Sequence, residues 1–486
     1  MTTNNPLTAI DFYKADHRSQ YPEGTELVFS NWTARKSRLE EIDRVVVFGL
    51  QYYLKHELET AWRREFFERP KREVVERYRR RLTNAGIEVD LGHIEALHDL
   101  GYLPIEIWTL PEGTRVPIGV PMFVLWNTHP DFFWLTNYLE TALSAVLWGP
   151  CTSATLARRY RELLDHYVGL TGGDLAFVDW QGHDFAYRGM YGTEAAQLSG
   201  AGHLLSFTGT DTVPAIDFLE DYYGANGDLE IVGGSVPATE HSVMSMGTQE
   251  GELETYRRLV TEVYPEGIVS IVSDTWDYWK VWTEILPALR EDIMARKGTV
   301  TVRPDSGDPV KILVGDPEAP VGTPAHKGSF EMAWDLFGGV VNEAGYKQLD
   351  PHINLIYGDS ITLERCEAIC AGLEAKGFVP TCIFGIGSFT YQFNTRDTFG
   401  FAMKATAGVV DGEIREIWKD PKTDDGTKRS ARGLLAVGRD KTGRLVLEQR
   451  ADWERVRNCE FVQVYCDGRI TREWTLAEIR ERLRNE

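Results

Sequence analysis

The sequence predicts an α/β protein: an irregular seven-strand β/α barrel plus a second α+β domain formed by the N- and C-terminal flanks. Three observations predict it. Seven short apolar runs follow one another between residues 175 and 384, most of them separated by helix-like segments. Each run is followed by Asp, Arg, Ser, Thr or Gly residues suited to chemistry rather than packing. The two flanks alternate apolar and polar residues around turn sequences, the pattern of antiparallel strands. The expected division is 1–153 for the N-terminal part of the α+β domain, 154–390 for the barrel, and 391–486 for the β-rich remainder packing on the N-terminal part.

Within the first flank, residues 26–30 read as a short strand and 42–67 as a helix with Val46, Leu50, Tyr53, Leu54 and Leu58 on one side. A second helix is expected at 74–82, its basic outer face being solvated surface. Residues 105–126 alternate around Pro111-Glu-Gly-Thr114 and Pro117-Ile-Gly119, which predicts antiparallel strands. The barrel strands are expected at 175–178, 204–207, 229–232, 269–272, 299–302, 353–357 and 380–384, each too uniformly apolar for a half-exposed strand. Helices are expected between them at 213–223, 253–263, 278–296 and 361–376. Beyond Gly400, turns at Asp411-Gly412, Asp424-Asp-Gly426 and Lys441-Thr-Gly443 mark hairpins, and Thr475-Leu-Ala-Glu478 is a capping box opening a last helix.

Composition excludes several classes of function. With 73 acidic against 52 basic side chains in 486 residues, the net charge of -21 argues against a nucleic-acid or anionic-membrane surface. No apolar run reaches membrane-spanning length, and the first residues lack a basic and then apolar leader. The six cysteines form no C-x-x-C pair or zinc-like spacing, and read as reduced thiols of a cytoplasmic protein. An H-E-x-x-H motif is absent, which argues against a metal hydrolase.

The chemistry concentrates after the apolar runs, where a barrel places its active site. The stretch Ile231-Val-Gly-Gly-Ser-Val-Pro-Ala-Thr-Glu-His-Ser242 puts glycines at a strand end and His241 in the loop that follows. Alone, it is a tight turn with a loop histidine. Arg303-Pro-Asp-Ser-Gly-Asp308 brings one cation and two carboxylates into a turn, able to grip phosphate and to accept sugar hydroxyls or hold hydrated Mg²⁺. Gly358-Asp-Ser360 and Gly385-Ile-Gly-Ser388 are glycine loops after the last two strands, a common place for barrel phosphate sites. His183-Asp-Phe-Ala-Tyr-Arg-Gly189 offers an aromatic face beside Arg188 for a flat heterocycle, with core packing of Phe185 as the plain alternative.

In this order and at these spacings, the motifs resemble the nicotinamide phosphoribosyltransferase family, nearly end to end. The resemblance runs through Asp11-Phe-Tyr-Lys14, Phe48-Gly-Leu-Gln-Tyr52, His183-Asp-Phe185, Arg188-Gly189 and Gly209-Thr-Asp-Thr212. It continues through Ser235-Val-Pro237, Glu240-His-Ser242, Val272-Ser-Asp274, Arg303-Pro-Asp-Ser-Gly307, Gly358-Asp359, Thr395-Arg-Asp397, Lys419-Asp-Pro421 and Lys428-Arg-Ser430. It implies a type II phosphoribosyltransferase fold and a homodimer with active sites at the subunit interface. The implied reaction joins nicotinamide to 5-phosphoribosyl 1-pyrophosphate, with Mg²⁺ as cofactor and ATP as co-substrate, through a phosphorylated His241. Glu240, Asp274 and Asp305 are implied beside that histidine and the ribose. Phe185, Tyr13 (from the partner subunit), Asp211, Arg303 and Asp11 are implied around nicotinamide. Arg188, Ser270, Gly358, Asp359, Gly385, Arg35, Arg396, Lys404, Lys419 and Lys428 are implied around ribose and phosphates. Metal ligands are not assigned. Asp211 would accept from an amide NH₂ and repel a carboxylate, which favours nicotinamide over nicotinic acid. The alternatives are a nicotinate phosphoribosyltransferase and a non-catalytic phosphoribosyl or nucleotide sensor.

Overall fold

The N- and C-terminal flanks meet in one antiparallel sheet because their strands share long, apolar, β-prone sequences. A computed structural model describes residues 5–358, 360–419 and 431–486. The described chain forms two units, one comprising residues up to Thr155, Phe218–Ala225 and those from Asn394 onward, the other Leu156–Asp217 and Asn226–Phe393.

In the first unit, strand Thr25–Ala34 pairs with Phe401–Val410 on one side and Pro121–Asn127 on the other. Ile105–Thr109, Val462–Cys466, Arg469–Ile470 and Glu413–Glu416 complete seven strands. Trp32 fixes the register chemically: its ring stacks on Phe401 at 5.5 Å and on Phe123 at 6.1 Å. The hairpin at Asp411-Gly412 turns with both residues at positive φ, 52° and 77°.

The expected helix over 42–67 is shorter at its start. Arg44–Val46 is a strand paired with Arg115–Pro117, and Gly49, at φ 98°, breaks the chain before the helix opens at Leu50. From Leu54 that helix continues through π-helical turns to Phe67. Its N-terminus is capped from a distance by the wholly buried Glu112, which accepts from the Gln51 amide at 2.7 Å and the Gly49 amide at 3.3 Å. The basic helix is found over Lys71–Asn84 and the last helix over Leu476–Asn485. Both capping-box bonds between Thr475 and Glu478 are present.

The second unit holds a curled parallel sheet of six strands. They run in the order Gly209–Thr210, Gly182–Asp184, Ile383–Ile386, Ile353–Tyr357, Val300–Arg303 and Val269–Val272. Four of the expected strands are thus found within a few residues. The expected strand at 175–178 is instead helical: Asp174 caps the Ala176 amide, and the strand begins at Gly182. The run 204–207 ends a helix and packs in the core, with its strand starting at Gly209. The run 229–232 is a turn with Leu229 and Ile231 exposed. In its place the next segment makes one parallel bridge to each neighbour, Gly234 to Gly209 and Ala238 to Ser270. Gly233-Gly234 and Pro237 explain the irregularity, since glycine weakens a strand and proline cannot donate to a ladder. Cys366 and Cys370, on Leu363–Ala375, are both buried, as their shared helix face predicts. Among the described residues, no helix is long and apolar enough to cross a membrane.

Candidate functional site

The parallel strands of the second unit curl around a cavity of about 320 Å³, which runs from their amino ends, at Ile268, Thr299, Asn354 and Ile383, to Arg303 and Asp211 at their carboxyl ends. Its walls are largely apolar, from Trp180, Val236, Ile356 and Ile383, and Phe185 lies among them. Its polar lining includes Asp211, Arg303 and Ser270.

Asp211 follows the short strand Gly209–Thr210, and its amide donates to the Asp184 carbonyl at 2.9 Å. Its Oδ1 accepts from Ser235 Oγ at 2.6 Å and lies 2.9 Å from His183 Nε2. Burial pushes this carboxyl up, but the bonds from His183 and Ser235, with the charges of His183 and Arg303, outweigh it and hold it below the usual aspartate value of 3.8. The group is a fixed carboxylate acceptor. His183 is buried against Phe185, ring centres 4.5 Å apart, and a Cβ at Gly209 would sit 2.8 Å from its Nδ1. Arg303 ends strand Val300–Arg303; its Nη2 donates to the Thr239 carbonyl at 2.7 Å, while its buried Nε has no hydrogen-bond partner. Ser270 Oγ is likewise buried and unbonded. A more open cavity of about 560 Å³ shares Phe185 and Asp211 with the first and adds Arg188 and Thr212 to its wall.

His241 opens the short helix His241–Met246 with its ring half exposed. Thr275 Oγ1 lies 3.1 Å from Nδ1, while Nε2 is 3.8 Å from Asp274 Oδ1 and 3.9 Å from Asp305 Oδ2. The acids facing the imidazole are therefore Asp274 and Asp305; the Glu240 carboxylate instead accepts from Ser242 Oγ. Asp274 is buried. Its Oδ2 accepts from the Asp305 amide at 2.9 Å and from Ser306 Oγ at 2.5 Å, and its Oδ1 has no hydrogen-bond partner. Asp305 Oδ1 is 3.6 Å from Arg303 Nε, so one turn couples the cation to both acids.

The two glycine loops follow the strands Ile353–Tyr357 and Ile383–Ile386, as expected, and the second leads directly into the short helix Ser388–Tyr391. Ser360 takes φ 57°, and the next helix begins at Leu363 under a Thr362 cap, so Gly358 does not open a helix N-terminus. A Cβ at Gly358 would lie 2.0 Å from Asp305 Oδ1, and one at Gly385 would lie 2.7 Å from the Gly358 backbone. Glycine at both places lets the strand ends pack closely around Asp305. Asp359 and Lys428 lie outside the described residues, as does the turn expected at 424–426.

The remaining candidates belong to the first unit. Arg35, Lys404 and Lys419 line one cavity of about 550 Å³, together with Arg432 and Trp418. The Arg432 guanidinium stands 5.3 Å over the Trp418 ring. Arg396, in the turn Arg396–Thr398, pairs with Asp397 at 3.7 Å. Tyr13 is exposed, with the Lys14 ammonium 5.2 Å from its ring centre, and Asp11 accepts from Thr141 Oγ1 at 2.8 Å.

Ser235 and Thr275 carry no individual signal in the sequence. Both sit inside or directly after quoted motifs, Ser235-Val-Pro237 and Val272-Ser-Asp274, and that adjacency was the available signal.

Comparisons with known proteins show the family. Residues 180–466 match the nicotinate phosphoribosyltransferase (NAPRTase) family, and residues 5–107 match the nicotinamide phosphoribosyltransferase N-terminal domain. A nicotinamide phosphoribosyltransferase of Acinetobacter baylyi is 54% identical, covering 99% of this chain and 97% of that one. One from Xanthomonas campestris is 33% identical, covering 98% and 97%. The fold is similar to that of a nicotinate-nucleotide pyrophosphorylase from Pyrococcus furiosus, with TM-score 0.58 at 14% identity over 100% of this chain and 96% of that one. The chain belongs to the NAPRTase family and, within it, to the nicotinamide phosphoribosyltransferases.

Proposed function

We propose that this chain transfers the 5-phosphoribosyl group of 5-phosphoribosyl 1-pyrophosphate to nicotinamide, giving nicotinamide mononucleotide and pyrophosphate, with ATP acting through phosphorylation of His241. The observation that carries the choice of acceptor is Asp211, a fixed carboxylate in an apolar cavity that also holds Phe185 and Arg303. Phe185 stacks on the pyridine ring. The carboxamide NH₂ donates to Asp211 and its carbonyl accepts from Arg303. The ring nitrogen then bonds the anomeric carbon as the C–O bond to pyrophosphate breaks. Positive charge developing on the sugar faces Asp305 and Asp274, and Arg188, Ser270, Gly358 and Gly385 surround ribose and phosphate.

Thr275 engages Nδ1 of His241, which leaves Nε2 to attack the terminal phosphorus of ATP; an N–P bond forms, an O–P bond breaks, and ADP leaves. Among the described residues, no group of three or more His, Cys, Asp or Glu side chains suits a metal. Asp274, whose buried Oδ1 lacks a hydrogen-bond partner, is the residue that would hold Mg²⁺ together with substrate phosphates. Bound there, the ion would neutralise charge on the leaving pyrophosphate. A homodimer with active sites at the subunit interface, Tyr13, Arg35, Lys404 and Lys419 reaching across it, and a cytoplasmic location complete the reading; the sequence resemblance supports them.

Nicotinic acid as acceptor is the second reading, favoured by the name of the family matched over residues 180–466. Purified protein with Mg²⁺, the pyrophosphorylated sugar and nicotinamide should release nicotinamide mononucleotide and pyrophosphate in equal amounts, faster with ATP. His241→Ala should lose ATP hydrolysis and any acid-labile protein-bound phosphate. Unchanged ATP hydrolysis in that variant would remove His241 from the mechanism.

A further inference from the structure

Glu140 begins the long helix Glu140–Leu170 and sits between two cations. On one side the Lys14 ammonium, with its side chain only 3% exposed, donates to Glu140 Oε2 and to Asn137 Oδ1. A buried ammonium needs such partners, since an unpaired charge out of water is strongly disfavoured. On the other side Lys404 Nζ lies 3.9 Å from Glu140 Oε1. Lys404 also lines the 550 Å³ cavity, alongside Arg35 and Lys419.

The same stretch of chain anchors the N-terminal segment twice more. Thr141 Oγ1 donates to Asp11 Oδ2 at 2.8 Å, and Asn137 Nδ2 lies 2.9 Å from His17 Nδ1. Tyr13 stands exposed between these anchors.

Lys404 is in a difficult place for a cation. Burial, and then the charges of Arg35, Lys14 and Lys419, push its pKa below the usual lysine value, while the Glu140 charge pulls it back up. A lysine is a point charge on a flexible stem, and like charges on several sides would swing it away from them. A carboxylate 3.9 Å away attracts it without forming a short hydrogen bond, so its N–H donors are not spent on Glu140.

We infer that Glu140 is a positioning residue: its carboxylate holds the Lys404 ammonium at the cation-lined cavity and, through Lys14, fixes the segment that presents Tyr13. The inference rests on the reading of that cavity as a phosphate site.

The test is a double-mutant cycle with inorganic pyrophosphate as the probe, titrated calorimetrically into the full-length wild type, Glu140→Gln, Lys404→Met and the double variant. Glu140→Gln should weaken pyrophosphate roughly tenfold, the scale of one charge-assisted contact, and add nothing once Lys404 is removed. An unchanged Kd in Glu140→Gln overturns the inference. So does an equal loss in the Lys404→Met background, because Glu140 would then act through the fold at large. Wild type that binds no pyrophosphate also overturns it. Should Glu140→Gln fail to fold, Glu140→Asp keeps the charge but draws it back from Lys404, and the same cycle is read with it. The functional reading stands or falls separately. Wild type that shows the Glu140 dependence yet makes no nucleotide from nicotinamide removes the function and leaves the positioning role.

Discussion

The Asp211 carboxylate is useful because two neighbours stop it from moving or gaining a proton. His183 and Ser235 bind one of its oxygens, and its pKa lies below the ordinary value of 3.8 although the side chain is about half withdrawn from water. The sign follows: a depressed carboxyl stabilises the fold above its unfolded pKa, and that contribution is lost as pH falls through the folded value. Amide binding should therefore hold steady across neutral pH and fail only in acid. Asp211→Asn, which presents a donor as well as an acceptor, should narrow the preference for nicotinamide over nicotinic acid roughly 10- to 100-fold, mostly through KM. Separate kcat/KM values for the two acceptors check this. Arg303 was legible in sequence because it ends the apolar strand Val300–Arg303; Phe185 and Asp211 follow the short strands Gly182–Asp184 and Gly209–Thr210, which carry no apolar run, and were legible only through their motifs. His183 was read only as part of a motif, and its bond to Asp211 depends on pairing between strands that no local pattern reveals. Glu240 illustrates the converse: sequence adjacency to His241 suggested an orienting acid, whereas Asp274 and Asp305 arrive beside the ring from two other strand ends.

Elements were legible where a periodic pattern had a matching boundary chemistry. Val213–Tyr223 and the capped helix Leu476–Asn485 are of this kind. Thr475→Ala should remove the cap and cost about 1 kcal/mol, seen as a lower denaturant midpoint with unchanged slope. Apolar runs without periodicity were less secure. Residues 204–207 are buried and 229–232 are largely exposed, yet both look like core strands in one dimension. Glu112 could not be read at all, since it caps a helix more than 60 residues away in sequence and nothing local marks it. Burial pushes its carboxyl up to about 7. The folded state thus holds a proton that the unfolded chain has already released, so stability falls as pH rises from about 4.5 to 7, by about 3 kcal/mol. Glu112→Gln keeps an acceptor for the helix amides and removes the charge; its Tm should vary less than that of wild type between pH 5 and 7.5.

At the scale of the whole molecule, the two ends of the chain are joined in one sheet by the pairing of Thr25–Ala34 with Phe401–Val410. That arrangement brings Arg35 and Lys404 to the same cavity from opposite ends of the sequence. Alternation and turn signals on both flanks foretold strands that pack together; that the strands share one sheet, with Trp32 stacked on Phe401, no reading of either flank alone contains. The proposed homodimer makes a further prediction. If cations from one subunit serve the site of the other, His241→Ala and Lys404→Met chains should regain ATP-stimulated turnover when mixed and reassembled, although neither variant shows it alone. No recovery in confirmed mixed dimers would place both residues in the same subunit's site. The most direct measurement of the central claim is competition: wild-type protein with Mg²⁺, ATP and the pyrophosphorylated sugar, offered nicotinamide and nicotinic acid together at equal concentration. Nicotinamide mononucleotide in large excess is the predicted result, and nicotinic acid mononucleotide as the main product would contradict the reading of Asp211 on which the account rests.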